Sequence, residues 1–240
     1  MIADLVRQIK DGLLDLLFPP RCVGCGRVGS WLCAACLEGM ELIRPPVCPR
    51  CGRPLAELAD TRHGGRLCYL CQRSPLQIDG IRSVLYFEGT LREAIHRFKY
   101  ANLRDLALPL GEMMSAYWEE NPLPAEVIVP VPLHENRLRE RGYNQAALLA
   151  HVLGERIGLP VSEGTLARVR ETLPQVELGA QERKENVRDA FRCLDDGLVG
   201  RRVLLVDDVC TTGSTLEACS LALRQGGARS IWALTLARPR

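Results

Sequence analysis

Eight of the eleven cysteines in this 240-residue chain form four Cys-x-x-Cys pairs: Cys22 with Cys25, Cys33 with Cys36, Cys48 with Cys51, and Cys68 with Cys71. Two residues between thiolates make a knuckle that aims both sulfurs at one ion, and eight thiolates supply two tetrahedral zinc sites. Seven residues separate the first two pairs and sixteen the last two, the latter inside the range of a four-cysteine zinc ribbon. Pairing first with second and third with fourth is the simplest choice, and interleaved pairing stays open. Gly26 and Gly52 follow the second cysteine of their knuckles and permit the positive φ with which a chain turns around a metal. The competing reading is a disulfide framework. The start MIADLVRQIKDGLL, however, lacks the basic opening, continuous apolar run and small-residue cleavage site of a signal peptide. The chain is therefore expected in the cytoplasm, where thiols stay reduced. Structural Zn²⁺, two ions, is the cofactor these cysteines imply, and so small a module would draw much of its folding free energy from the metal. His63, inside the long ribbon loop, is then a solvated bystander.

A second concentration of chemistry is the run VLLVDDVCTTGST at 203–215. Four apolar residues mark a strand buried on both faces, and Asp207 and Asp208 stand at its carboxyl end. Thr211, Thr212, Gly213, Ser214 and Thr215 then form a small, hydroxyl-rich turn opening a helix, whose backbone N–H groups and dipole favour a phosphate. The GxxxxGK and GxGxxG spacings are both absent. Two acids beside a phosphate cradle suit a ligand carrying a phosphate and neutral hydroxyls, such as a ribose 5-phosphate. A plain helix cap needs one polar side chain and leaves the paired acids unexplained. The segment resembles the signature of type I phosphoribosyltransferases, which bind 5-phosphoribosyl 1-pyrophosphate (PRPP). Thr211 stands where hypoxanthine-type relatives carry an acid used as a general base, which argues against a purine handled in their manner. Cys210 reads as a small packing residue, since no His–Cys arrangement accompanies it.

These residues need a scaffold. Strands are expected at 81–87, 127–131, 166–169, 203–206 and 231–236, and helices at 91–100, 106–118, 144–157 and 214–225. Strands alternating with helices imply a parallel α/β sheet with ligands beyond the carboxyl ends of its strands. Ahead of the ribbons, Ile2, Leu5, Val6, Ile9, Leu13, Leu16 and Leu17 follow the stripe of an amphipathic helix that Pro19 and Pro20 end. No run approaches the roughly eighteen apolar residues of a membrane span. Arg137, Arg139 and Arg141 after the 127–131 strand suit a pyrophosphate, or else a solvated helix face shared with Glu135 and Glu140. The polar segment 171–191 suits a loop closing over a reaction centre, or a simple exposed crossover.

Composition sets the outer bounds. With 47% hydrophobic and 25% charged residues the chain is globular, and 31 basic against 29 acidic residues give no whole-chain basicity of the nucleic-acid-binding kind. Only three basic residues are lysines, Lys10, Lys99 and Lys184. Around the ribbons Arg44, Arg50, Arg53, Arg62, Arg66 and Arg73 outnumber Glu57 and Asp60, with Tyr69 the one interleaved aromatic, a weak single-strand-binding pattern.

Taken in order, the four knuckles, FKY (98–100), RGYNQ (141–145), TLPQ, ERKENV and VDDVCTTGST resemble the ComF family, also described as double zinc ribbon phosphoribosyltransferase-like proteins. The resemblance implies an N-terminal helix over 1–19, a double zinc ribbon over 20–75 and a phosphoribosyltransferase-like domain over 76–240. It implies a protein of DNA uptake in natural transformation, at the cytoplasmic side of the membrane, with single-stranded DNA and a helicase-like or membrane-channel partner. As an enzyme it would bind PRPP with Mg²⁺. Asp207 and Asp208 would hold the ribose, residues 211–215 the 5-phosphate, and Val131, Pro132 and Arg141 the pyrophosphate, while a nucleophile displaces that group from C1. The acceptor is unspecified, with Lys99 the one residue of the 78–125 hood that stands out. The alternative is a non-catalytic module that senses PRPP and whose ribbons dock DNA or a partner.

Overall fold

The computed structural model describes residues 19–55, 67–171 and 189–240. The helix expected over 2–17, His63, and most of the 171–191 segment lie outside the described residues. In chain order the elements are α1 (Ala34–Glu38), α2 (Tyr69–Arg73), β1 (Gly80–Tyr86), α3 (Gly89–Tyr100), α4 (Ala107–Glu120), β2 (Val127–Pro130) and α5 (Glu135–Arg141). There follow α6 (Gln145–Ile157), β3 (Leu166–Arg168), β4 (Phe191–Cys193), β5 (Arg202–Val209), α7 (Ser214–Gln225) and β6 (Ser230–Arg238).

The apolar run of β5 explains the layering. Its period of two sends Val203 and Leu205 to one face and Leu204 and Val206 to the other, and all four are fully buried. A strand covered on both sides belongs in the middle of a parallel sheet. The order is β1-β6-β5-β2, every pairing parallel, with β3 and β4 a separate antiparallel pair. One face carries α3, α4 and α6, whose Phe98, Leu110 and Leu149 pack with Leu204 and Val206. Buried Leu91, Ala94, Ile95 and Phe98 give α3 its i, i+3, i+4, i+7 stripe. The other face carries α7, through Leu216, Cys219 and Leu223.

Both ribbons are fastened to the β1 side of this sheet. The open edge of β1 is capped by an antiparallel bridge between Leu42 and Leu85: Ile43 N–H donates to the Val84 carbonyl (2.9 Å) and Tyr86 N–H to that of Glu41 (3.0 Å). An edge strand so covered presents less of a template to another chain. In the second ribbon the Arg50 guanidinium donates to the Ile78 carbonyl (2.6 Å) and Ile81 N–H to the Arg50 carbonyl (2.8 Å). The Arg238 guanidinium at the end of β6 donates to the Cys51 carbonyl.

Four local expectations change. The β5 strand runs on to Val209, so both acids lie inside its ladder, because β6 keeps pairing as far as Val209 with Ala237. The arginines after β2 belong to a short helix, α5, begun where His134 Nδ1 accepts from Asn136 N–H (3.3 Å). The stretch around Pro75 is tied down rather than a free linker, since Glu217 accepts from the N–H groups of Gln77 (2.7 Å) and Ile78 (3.1 Å). Strand β4 is held by β3 rather than by any pattern of its own.

Two knuckle glycines test the docking. Both have positive φ, +75° at Gly26 and +68° at Gly52, but a Cβ at Gly26 would meet open space, whereas one at Gly52 would lie 2.3 Å from the Ile81 carbonyl oxygen. Gly26→Ala is expected to cost about 1 kcal/mol of backbone strain. Gly52→Ala should cost about 3 kcal/mol or more, because backbone of β1 must give way as well. Urea unfolding of the two variants at equal zinc content measures the difference.

Candidate functional site

The cysteines gather in two groups, Cys22, Cys25, Cys33 and Cys36, and Cys48, Cys51, Cys68 and Cys71, with all sulfurs of a group within 4.8 Å of one another. Pairing is sequential rather than interleaved. Tetrahedral zinc with bonds of about 2.3 Å places sulfurs about 3.8 Å apart, and Cys25 to Cys33 and Cys51 to Cys68 both measure 3.6 Å. Each first knuckle is primed for a thiolate. Burial pushes Cys22 and Cys48 up, but backbone N–H groups aimed at their sulfurs outweigh it and lower them to about 6 and about 7. Cys33 N–H points at Cys22 Sγ (3.4 Å) and Cys68 N–H at Cys48 Sγ (3.3 Å). Hydrogen bonds from neighbouring sulfurs push Cys36 the other way, to about 12. Without metal a group so arranged holds protons that zinc must displace. Both sets fit structural zinc; the second is buried at all four positions, the first at two.

The acidic pair sits at the carboxyl end of β5, where Asp208 falls on the α3 face. Lys99 Nζ of α3 forms an ion pair with Asp208 Oδ2, and Gln145 at the start of α6 donates to Oδ1 (3.5 Å). Burial and the charge of Asp208 push the Asp207 carboxyl well above the usual carboxylate range. Burial also raises Asp208, but the ammonium of Lys99 outweighs it and keeps that carboxyl below its ordinary value. Burial lowers and Asp208 more strongly raises Lys99, so the ammonium stays charged. The two neighbouring carboxyls are thus pushed in opposite directions, and the one that is lowered faces the lysine.

Residues 141–145 build the other wall. Arg141 bonds the Gln145 carboxamide and stacks over the Tyr100 ring (5.4 Å). Gly142 closes α5 in the left-handed conformation (φ 76°). Tyr143 is buried against Phe98, its hydroxyl donating to the Phe98 carbonyl. Asn144 caps α6 by accepting from Ala146 N–H and donates to the Val131 carbonyl, both at 3.0 Å. Val131 N–H in turn donates to the Val206 carbonyl (2.9 Å), which aligns the Val131–Pro132 loop with the acids. Of the three arginines only Arg141 reaches this site; Arg137 pairs with Glu140 (3.1 Å) and Arg139 with Asn136 (2.5 Å) on the exposed helix face.

The turn after β5 places Thr211 and Thr215 half-buried on either side of Gly213, whose φ of +84° no β-carbon tolerates well. A Cβ there would also stand 3.1 Å from Ile81. The hydroxyls of Thr212 and Ser214 bond each other (2.8 Å), and Ser214 N–H reaches Thr212 Oγ1 (3.3 Å). Cys210 is a packing residue, 2% exposed, its thiol raised by burial to about 11. Tyr100 and Gln145 were not predicted as site residues. Lys99 stood out as part of the FKY run and as the one residue singled out in the 78–125 hood.

A double zinc ribbon joined to an α/β domain built on a parallel four-stranded sheet is the class this architecture defines. The family model for a double zinc ribbon domain matches residues 13–72. Competence protein F of Haemophilus influenzae is 34% identical over 230 residues, 91% of this chain and 96% of that protein. DNA utilization protein YhgH of Salmonella typhi is 33% identical over 211 residues, 85% and 89% of the two chains. The chain belongs to this competence protein F and DNA utilization protein family. Among solved structures, glutamine phosphoribosylpyrophosphate amidotransferase from B. subtilis matches 55% of this chain and 26% of its own, at 18% identity and a TM-score of 0.39. No described helix is long and apolar enough to cross a membrane.

Two measurements check the site. Elemental analysis should find two zinc ions per chain, with Cys48→Ser leaving one and lowering Tm more than Cys25→Ser does, because the second cluster is wholly buried against the sheet. Lys99→Met strands the Asp208 charge, 4% exposed, and should cost about 3 kcal/mol in urea unfolding. Adding Asp208→Asn should restore most of it. Asp208 contributes stability above the ordinary carboxylate range that is lost as pH falls through its lowered pKa, and Lys99→Met should erase that acid limb.

Proposed function

We propose that the chain binds PRPP together with Mg²⁺ at the carboxyl edge of β5, and that this site serves the handling of single-stranded DNA in natural transformation. The observation that carries the reading is the junction of β5 and α7: two adjacent buried acids lead directly into a glycine-centred helix start whose N-cap, Gly213, has no side chain to occupy it. Asp208, already ionised, accepts from one ribose hydroxyl, and Asp207 can donate or accept toward the other. Residues Thr211, Thr212, Gly213, Ser214 and Thr215 take the 5-phosphate at the positive end of the α7 dipole. The Val131–Pro132 loop and Arg141 face the pyrophosphate. Mg²⁺ would neutralise pyrophosphate charge as that group leaves. Lys99 keeps the acid pair from repelling an incoming pyrophosphate. The names of the relatives, competence and DNA utilization, support the biological role, exercised in the cytoplasm near the inner face of the membrane with a helicase-like or channel partner.

Calorimetric titration with PRPP is the test. Binding should require Mg²⁺ and weaken about tenfold or more in Asp208→Asn, the loss of one charged hydrogen bond. Release of pyrophosphate on adding nucleobases or oligonucleotides would make the chain an enzyme, and binding without release would make it a sensor. Failure of PRPP to bind with Mg²⁺ present would overturn the reading.

A further inference from the structure

A cavity of about 560 Å³ opens between α2 of the second ribbon and the first turns of α7. Thr212 and Ser214 line it; Asp207 and Asp208 do not. Three arginines line it, Arg53 and Arg73 from the second ribbon and Arg238 from the end of β6, and of these Arg73 donates to the Tyr69 hydroxyl (2.6 Å). Arg238 is 2% exposed, and its nitrogens meet only neutral groups, the Cys51 carbonyl and the Cys210 thiol (3.6 Å). Arg53 Nε is buried with no hydrogen-bond partner. Among the described residues no carboxylate pairs with either. Both arginines oppose the burial that raises the Cys210 thiol, so both lie within electrostatic reach of one sulfur.

Buried guanidinium charge is costly unless a counter-charge meets it. The lining offers one carboxylate, Glu217, and that one is taken up by the backbone N–H groups of Gln77 and Ile78. The remaining polar lining beside the arginines includes the Thr212 and Ser214 hydroxyls at the start of a twelve-residue helix. The zinc-loaded thiolate cluster behind Cys51 and Cys71 supplies negative charge on one side, and three arginines, two hydroxyls and a helix N-terminus line the cavity beside it.

We propose that Arg53 and Arg238, with Thr212 and Ser214, form a pocket for a phosphate monoester, so that the second zinc ribbon is a wall of the ligand site. Identifying that monoester with the 5-phosphate of PRPP rests on the proposed function above. The ribbon's metal then holds Arg53 in place as well as its own fold.

Calorimetry of the full zinc-loaded chain with ribose 5-phosphate, PRPP and inorganic phosphate tests this, using Arg53→Gln and Arg53→Lys, each checked for two zinc ions and an unchanged Tm. Arg53→Gln should weaken ribose 5-phosphate and PRPP about tenfold or more, the worth of a charge-assisted hydrogen bond, and Arg53→Lys should recover part of it. If Arg53→Gln binds both like the wild type while Asp208→Asn loses PRPP, the pocket is refuted and the phosphoribosyl reading stands. If PRPP fails on the wild type but inorganic phosphate binds in an Arg53-dependent way, the pocket stands and the phosphoribosyl reading falls.

Discussion

The contact between the Lys99 ammonium and the Asp208 carboxylate governs the architecture around it. Two adjacent acids inside a sheet-centre strand, 9% and 3% exposed, cannot both ionise without a counter-charge. The structure meets this by bringing one lysine to Asp208, while burial pushes the Asp207 carboxyl up. That lysine must arrive from a helix crossing the Asp208 face, which fixes the rotation of α3. Phe98 then points into the core, and Tyr100 lies beneath Arg141. Phe98 in turn receives Tyr143, so residues 98–100 and 141–145 interlock, each holding the other in register against β5.

The metal sites solve a different problem at the other side of the sheet. A ribbon built on four sulfurs has little apolar surface, and here its second cluster of cysteines packs with Leu55, Leu67 and Leu76. What the ribbons lack in core they gain by pairing backbone with β1 and by accepting the Arg238 guanidinium at Cys51. The sheet edge is covered and the ribbon is anchored by the same hydrogen bonds. Gly52 marks how close that approach is, since only a residue without a β-carbon fits against the Ile81 carbonyl.

Legibility in the sequence followed the range of the interaction. Zinc ligands were readable because a knuckle is local: two residues between thiolates determine the geometry, and the glycine after it reports the turn. The buried run 203–206 was readable because burial on both faces leaves an unbroken apolar stretch. The end of β5 was not, because whether Asp207 and Asp208 continue the ladder depends on β6 thirty residues away. Gln145 and Tyr100 stood in the RGYNQ and FKY runs with no role of their own; their contacts arise only when α3, α5 and α6 meet. Arg137 and Arg139 resembled Arg141 in sequence, and only the phase of a seven-residue helix separates the one that faces the acids from the two that face solvent.

The near-neutral total charge conceals this arrangement, because the charges that matter are matched or unmatched one at a time. On the α3 side of β5 the buried acid has its lysine. On the ribbon side Arg238 reaches the Cys51 carbonyl and the Cys210 thiol, beside four cysteines whose thiolates carry negative charge when they hold zinc. Arginines and zinc ligands therefore meet where the ribbon joins the α7 turn, and the carboxylate that holds a lysine lies at Asp208. A ligand with phosphate at one end and hydroxyls at the other matches that arrangement in one orientation only. Because Arg238 and Asp208 are buried, salt would screen this discrimination far less than it screens the exposed arginines of α5.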